Sequence, residues 1–558
     1  MRSRLTPPEG FRGRFLTERS ARAAYSEGAG PYRILPSAVA IPADCEDVVR
    51  LVRFSAERGW PLVPRGAGSG MAGGNVGQGI ILDLQELDSP LRISPDETAE
   101  VGAAVTWGAL DSKAEPLGLR LAPNPASGTF CTIGGMVATN AAGARSVRAG
   151  SIRPWVRSLD LVTSDGEVVQ LARRDTTALE ASESQDASFP AKGGPIEQRF
   201  SQQAHRKIVR SESTIRRRFP ATRKNSSGYA LDAYLHSGDL VDLVIGSEGT
   251  LGVITRVELT LEARPPAVAG LLLAVDDLAG LGEVAHRLLT LDPAAVELLD
   301  QSFLALTSSG AFPLLQEKAA VLLVDFERSS VQAAEAAVDE AVRLTSDVCS
   351  YAESALSDEE HARLWALRHA ASPALATLPD NRRSLQIIED GCVPVPHLGE
   401  YLSGVRAAAQ DAGIDIAAFG HAGDGHLHVN AVVDTTVPEF EERLLRLFWD
   451  VTQLVTRLGG TPSGEHGDGR LRAAVLEHVY GSEIMELFRL VKRVFDPAGI
   501  MNPGVVIPDS LTVPIANLKV GSRAAAIPAD VARGLRKMEH TGGWGASKLE
   551  LLAEGKAQ

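Results

Sequence analysis

Three glycine-rich turns, Arg65–Gly74, Pro123–Gly135 and Gly246–Gly252, constrain the fold of this 558-residue chain more than any other feature. Such a turn exposes consecutive backbone N–H groups, and glycine lets them approach an anion with no side chain between. The first turn follows a short apolar strand, Pro61–Pro64. It is not the dinucleotide fingerprint that opens a helix, because Met71–Gly77 carries too many glycines to begin one. It also lacks the Gly-Lys-Ser/Thr ending of a nucleoside-triphosphate loop. A different anion cradle is required, drawn from segments far apart in sequence.

The stretches around these turns read as alternating elements. Pro42-Ala-Asp44 opens a helix whose apolar positions Val48, Val49, Leu51, Val52 and Phe54 recur at helical spacing up to Gly59. Strands follow at Gly79–Leu84 and at Leu159–Thr163, the latter joined by Ser164-Asp-Gly166 to Glu167–Gln170 in a hairpin. Residues 172–200, rich in Ser, Ala, Asp, Glu and Gly and without periodicity, read as a mobile surface insertion. After Arg264-Pro-Pro266 the texture changes to strands alternating with alanine-rich helices, as at Val321–Phe326 and Val331–Leu344. The expected organisation is an N-terminal arm (1–34), a first domain (35–264), a second domain (265–505) and a docking or flexible tail (506–558).

A net charge of −14 argues against nucleic-acid binding, since no excess of Lys and Arg exists to neutralise phosphates. One stretch, 205–224, is locally basic with eight Lys or Arg and a single Glu. It reads as a solvated helix face, or as a surface for an anionic cofactor or an acidic electron-transfer partner. The four cysteines (Cys45, Cys131, Cys349, Cys392) are far apart, and none follows Gly504, so no iron–sulfur cluster is expected in this chain. No apolar run approaches the ~20 residues of a membrane span. A cytoplasmic protein is expected, with peripheral contact at the inner face of the membrane through the basic N-terminus as the alternative.

Two further segments carry chemistry: GHAGDGHLHVN (420–430) and SGEHGDGR (463–470). They contain four of the chain's twelve histidines, His421, His426, His428 and His466. If HLHVN is a strand, its period of two puts His426, His428 and Asn430 on one face and Leu427 and Val429 on the other. With Glu465 from the second turn, this is the material of a mixed N/O divalent-metal site with a spare imidazole for proton transfer. The competing reading is a pair of turns with solvated histidines.

The segments PLVPRGAGSGMAGGNVG, PNPASGTFCTIGGMVATNAAGARSVRAGS and IGSEGTLGVITRVELTL resemble the three flavin-binding signatures of the vanillyl-alcohol-oxidase/p-cresol-methylhydroxylase superfamily. The histidine segments, with FDPAGIMNPG at 495–504, are similar to its FAD-linked D-2-hydroxyacid dehydrogenase branch, which includes D-lactate, glycolate and D-2-hydroxyglutarate dehydrogenases. The resemblance covers roughly residues 35–505. It implies an α+β fold: a PCMH-type FAD domain of two subdomains, then an α+β substrate domain with an antiparallel sheet and a C-terminal helical segment returning to the FAD domain.

Residue by residue, the resemblance implies that Arg65, Gly66, Ala67, Gly68, Ser69 and Gly70 wrap the FAD pyrophosphate. Pro125, Ser127, Thr132, Gly134 and Gly135 line the flavin and ribityl chain, Val253 and Ile254 meet the adenine end, and Asn502 belongs to the cofactor site. His421, His428 and Glu465 would ligate zinc or manganese, His466 with a pKa near 6.5 would be the general base, and Asn430 would hold substrate. Arg368, with Ser372 one helical turn later, would anchor the substrate carboxylate. His426 is expected to be a solvated or outer imidazole. No histidine precedes His205, so FAD is expected to be noncovalent, with Cys131 as packing rather than a tether. Ile388 stands where some 2-hydroxyglutarate enzymes have a lysine, which puts a second carboxylate in doubt; Arg382 and Arg383 are candidate replacements.

The implied activity is metal-assisted oxidation of a D-2-hydroxyacid to the 2-oxoacid by hydride transfer to flavin N5. Expected partners are a small 2-hydroxycarboxylate, a quinone, iron–sulfur subunit or electron-transfer flavoprotein as acceptor, and a second copy of the chain in a homodimer. The alternatives are a flavin oxidase of a larger alcohol or sugar, a flavin subunit of an electron-transfer complex, and a metallohydrolase, which would leave the three glycine turns without a use.

Overall fold

The computed structural model describes residues 5–174, 194–307, 313–370, 375, 378–379, 381–509, 514–541, 543–544 and 548–551. Its N-terminal part holds two sheets. The smaller has the strand order Arg14–Leu16, Ala38–Ile41, Ile80–Asp83, Leu62–Arg65, the last three parallel. Parallel pairing needs a crossover, and helix Cys45–Arg58 supplies it. The helix starts and stops where the sequence signals it. The Asp44 carboxylate accepts from the Asp47 N–H at 3.1 Å, and Gly59 closes it at φ +66°. Strand Leu62–Arg65 then delivers the first glycine-rich turn.

The second sheet is antiparallel, in the order Leu91–Ile93, Thr98–Gly102, Val253–Thr260, Val156–Val162, Val168–Ala172. Its outer hairpin is the one expected around Ser164-Asp-Gly166, and Gly166 takes φ +75°.

A seven-stranded antiparallel sheet forms the other half, in the order Tyr351–Ala355, Ala267–Val275, Ala320–Arg328, Ala295–Asp300, Asp415–His421, His426–Asp434, Arg382–Leu385. Helices Val331–Thr345, Leu398–Ala412 and Phe440–Arg457 bury one face, sharing a core with Leu427, Val429 and Ala431. The period of two then directs His428 and Asn430 to the opposite face. Helix Ser482–Phe495 leaves this half: Phe488 packs edge-on against Tyr229 and Phe495 against Phe200, within the core of the five-stranded sheet. The α+β architecture, antiparallel second sheet and returning helix match the expected fold class.

Two segments differ from a loose-loop reading. Of the insertion expected over 172–200, residues 175–193 lie outside the described residues. Pro195–Phe200, however, is a helix with Ile196 and Phe200 buried. In the tail, helix Ala529–Thr541 docks through Val531, Leu535 and Met538.

Candidate active site

A cavity of about 1010 Å³ runs between the two halves. The residues expected to hold FAD at the first turn (Arg65–Gly70), together with Pro125, Ser127, Thr132, Gly134, Gly135 and Ile254, form one wall; Arg368, His421, His428, Asn430, Glu465 and His466 form another. Gly68 sits at φ +77°, and a Cβ there would collide with the Arg65 guanidinium, so the turn needs glycine. The Arg65 guanidinium is tied to the backbone: Nη2 donates to the Glu27 carbonyl (2.9 Å) and Nη1 to that of Asn75 (3.3 Å), stiffening the turn. Two expected contacts are off the wall. Val253 is buried in the adjoining core. Asn502 donates through Nδ2 to the carbonyls of Gly74 and Glu248, both at 2.8 Å, and so ties the first turn to the third.

At the other end, His421 Nε2, His428 Nε2 and Glu465 Oε1 converge. The imidazole nitrogens are 3.2 Å apart, and the carboxylate oxygen lies 3.2 Å from His428 and 3.4 Å from His421. Ligands about 2.0–2.1 Å from one ion stand about 3.0–3.4 Å from each other, so this spacing fits a single divalent cation. The far side of each donor is held. His421 Nδ1 donates to Glu297 Oε1 (2.5 Å), His428 Nδ1 to the Glu389 carbonyl (3.3 Å), and Glu465 Oε2 accepts from Lys224 Nζ (2.9 Å). Such outer partners fix imidazole tautomers and carboxylate orientation. Burial alone would raise the Glu465 carboxyl, but Lys224 and His421 hold it well below its usual range.

Sequence reasoning missed four members of this site. Glu297 and Lys224 are two of them, and Lys224 is the last residue of the basic stretch 205–224. The others are Glu389 and Asp390. Glu389 Oε2 accepts from His466 Nδ1 (2.6 Å), and its Oε1 from Arg472 (2.7 Å). Asp390 takes the His466 N–H (2.9 Å), the Ser463 hydroxyl (2.7 Å) and His426 Nε2 (2.8 Å), pinning the whole SGEHGDGR turn. Their only signal was an acidic pair preceding Gly391.

Two sequence expectations change. His466 does not have the pKa of a free imidazole: burial opposes its charge, but Glu389 and Asp390 outweigh burial and push it up to about 10. His426 is not solvated; it is fully buried, and burial, with Lys224, brings it down to about 4, so it is a neutral imidazole on Asp390. Arg368 lies on the cavity wall. Its Nε donates to Glu297 Oε2 (2.7 Å), and its guanidinium lies 4.7 Å from the Phe419 ring centroid. One carboxylate thus touches both the candidate substrate arginine and a candidate metal ligand. Ser372 lies outside the described residues. Asn430 Oδ1 accepts from the Ser384 hydroxyl at 3.2 Å.

The two ends are mechanically joined. Glu248, in the third glycine turn, accepts the N–H groups of Asp468 (2.7 Å) and Gly469 (3.0 Å) in the histidine turn. Burial and the neighbouring Asp468 push its carboxyl up to about 8. Cys131, on the cavity wall, is pushed by burial to about 11 and is a thiol rather than a thiolate.

Residues 36–172 match the family model described as an FAD binding domain, and residues 264–506 that of the C-terminal domain of FAD linked oxidases. D-lactate dehydrogenase of Archaeoglobus fulgidus is 31% identical over 479 residues, 84% of this chain and 90% of that protein. Glycolate oxidase subunit GlcD of Bacillus subtilis is 28% identical, over 88% of this chain and 93% of its own length. D-2-hydroxyglutarate dehydrogenase of Escherichia coli is 27% identical over 92% of this chain but only 52% of that relative. Among solved structures, p-cresol methylhydroxylase with substrate bound superposes with a TM-score of 0.63 at 14% identity, over 88% of this chain and 94% of that one. That likeness shows a shared fold. The chain belongs to the FAD-linked oxidases, in their D-2-hydroxyacid dehydrogenase branch. It is an FAD-binding oxidoreductase acting on a CH–OH group.

Proposed function

We propose that the protein oxidises a D-2-hydroxyacid to the 2-oxoacid with metal assistance, passing electrons from noncovalent FAD to a quinone or protein acceptor. The observation that carries this reading is the single cavity that joins the glycine turns to the His421–His428–Glu465 cluster. When bound, FAD would accept the hydride at N5, and a divalent cation, zinc or manganese, would stabilise the developing alkoxide. Gly66–Gly70 would present backbone N–H groups to the pyrophosphate, with Pro125, Ser127, Thr132, Gly134 and Gly135 along the flavin. His421 Nε2, His428 Nε2 and Glu465 Oε1 would hold the cation, leaving positions open for a chelating hydroxycarboxylate. Arg368 would meet the substrate carboxylate and Asn430 orient the substrate, while His466 Nε2 takes the hydroxyl proton. The proton then rests on an imidazolium that Glu389 and Asp390 already favour.

The family names of the relatives, D-lactate dehydrogenase, glycolate oxidase subunit and D-2-hydroxyglutarate dehydrogenase, set the substrate class to test. The test is anaerobic bleaching of the flavin by D- and L-lactate, glycolate, D-2-hydroxyglutarate and D-malate. Bleaching by one D-2-hydroxyacid supports the reading; an enzyme whose flavin none of them reduces, yet which oxidises a sugar or larger alcohol, refutes it. No described helix is long and apolar enough to cross a membrane. A cytoplasmic enzyme meeting its acceptor at the inner membrane face is consistent with that.

A further inference from the structure

The C-terminal segment lies beyond residues 264–506, the stretch that matches the oxidase family, yet it reaches the cavity. Val531 and Leu535 of helix Ala529–Thr541 share a core with Tyr25 and with Val39, Val63 and Ile81 of the sheet that carries the first glycine turn. Glu539 on the same helix pairs with Arg383 (2.6 Å) and Lys519 (3.0 Å), the former on the edge strand of the seven-stranded sheet. The segment is therefore fastened to both halves. Beyond the helix, Trp544 is 6% exposed and lines the cavity.

Lys548 is the unusual residue. It is 0% exposed, and its ammonium lies 4.5 Å from the Trp544 ring centroid. Among the described residues its hydrogen-bond acceptor is a thioether, Met538 Sδ at 3.2 Å, and it makes no ion pair. Burial lowers this amine to about 7; Arg65 lowers it further, while Asp83 and Glu27 act in the opposite sense. A buried cation without a carboxylate is costly unless an anion arrives nearby. The groups that sense its charge, Arg65 and Asp83, stand opposite each other at the C-terminal ends of paired parallel strands, Arg65 where the first glycine turn begins. That turn is where the FAD pyrophosphate is expected, and a ring cation contact alone is worth little beside a dianion.

We infer that two residues of the C-terminal segment complete the FAD site, with Trp544 packing against the cofactor and Lys548 supplying positive charge behind the pyrophosphate-binding turn. The inference rests on FAD occupying the first glycine turn, but not on the metal or on the substrate. It concerns cofactor retention, so its readouts are binding and melting rather than turnover.

The experiment compares wild-type full-length protein with Lys548→Met, Lys548→Arg, Trp544→Ala and Trp544→Phe. FAD dissociation is followed by the rise of flavin fluorescence on dilution, and melting temperature is measured for apo and FAD-loaded forms. Lys548→Met should hold FAD about tenfold more weakly, the order of one lost charge interaction. Its apo form should melt no lower than apo wild type, because an unpaired buried charge has been replaced by an apolar chain of similar length. The gap between loaded and apo melting temperatures should therefore shrink. Lys548→Arg and Trp544→Phe should retain FAD better than Lys548→Met and Trp544→Ala respectively. A purely structural lysine would instead lower both melting temperatures together and leave the gap unchanged, which overturns the inference. Wild-type protein that binds no FAD would overturn the cofactor assignment itself, a different result.

Discussion

His466 shows how far a site can move a side chain from its free behaviour. An imidazole able to take a proton at neutral pH is the usual requirement of a general base, but here Glu389 and Asp390 hold the proton on, near pKa 10. A base must first be unprotonated, so flavin reduction by substrate should accelerate with rising pH; the two carboxylates move that limb toward alkali, and a cation on Glu465, whose Oε1 lies 3.6 Å from His466 Nε2, moves it back. Glu389→Gln removes one of the stabilising charges and should shift that limb toward acid; stopped-flow rates across pH would show it, and an unmoved limb would mean His466 is not the titrating group. His466→Ala should keep FAD bound while slowing flavin reduction by about 10²–10⁴. What could be read at this scale was the unusual residue type. Histidines set among glycines drew attention to His421, His428 and His466, and all three meet in space. Glu297, Glu389, Asp390 and Lys224 did not stand out, because a lone acid or lysine in sequence looks like any solvated charge. Only the fold reveals that each is buried against an imidazole, a carboxylate or a backbone N–H.

Elements followed from sequence where periodicity and caps agree, as in helix Cys45–Arg58 between Asp44 and Gly59. Strand His426–Asp434 was equally legible, since its alternation separates a helix-covered face from the cavity face. The tail was not. Helix Ala529–Thr541 has few apolar positions, and its docking combines Val531, Leu535 and Met538 with ion pairs to residues distant in sequence. Burial opposes ionisation of Glu539, but Lys519 and Arg383 hold its carboxyl down to about 2. A carboxyl depressed on folding contributes stability that is full above its unfolded pKa, about 4.5, and is lost as pH falls through the folded value. Docking of this helix should thus weaken on acidification from about pH 4.5 toward 2, seen as faster amide exchange confined to it. Glu539→Gln should produce the same fast exchange at pH 7. In the first turn, Gly68→Ala places a Cβ at φ +77° against Arg65 and should lower FAD affinity, measured by flavin titration of the apo-protein.

For the whole molecule, neither half contains the site alone, and the coupling between halves runs through identifiable bonds. The Glu248 side chain belongs to the third glycine turn but accepts the N–H groups of Asp468 and Gly469, two to four positions from Glu465 and His466. Asn502 ties the first turn to the carbonyl of that same residue. The cofactor end therefore sets the position of the candidate metal end, which predicts an asymmetric pair of outcomes. Verified removal of the metal by a chelator should abolish reduction by substrate while the flavin absorbance stays, because the glycine turns do not depend on the three donors. Glu248→Ala leaves two or more buried N–H groups without an acceptor, a loss of about 1–3 kcal/mol in stability, and should loosen both FAD and metal. Glu248→Gln keeps an acceptor oxygen at that place and should recover most of both affinities. Flavin retention and metal content measured on the same preparations decide the matter: a Glu248→Ala protein that loses FAD but keeps full metal affinity would show the two ends to be independent.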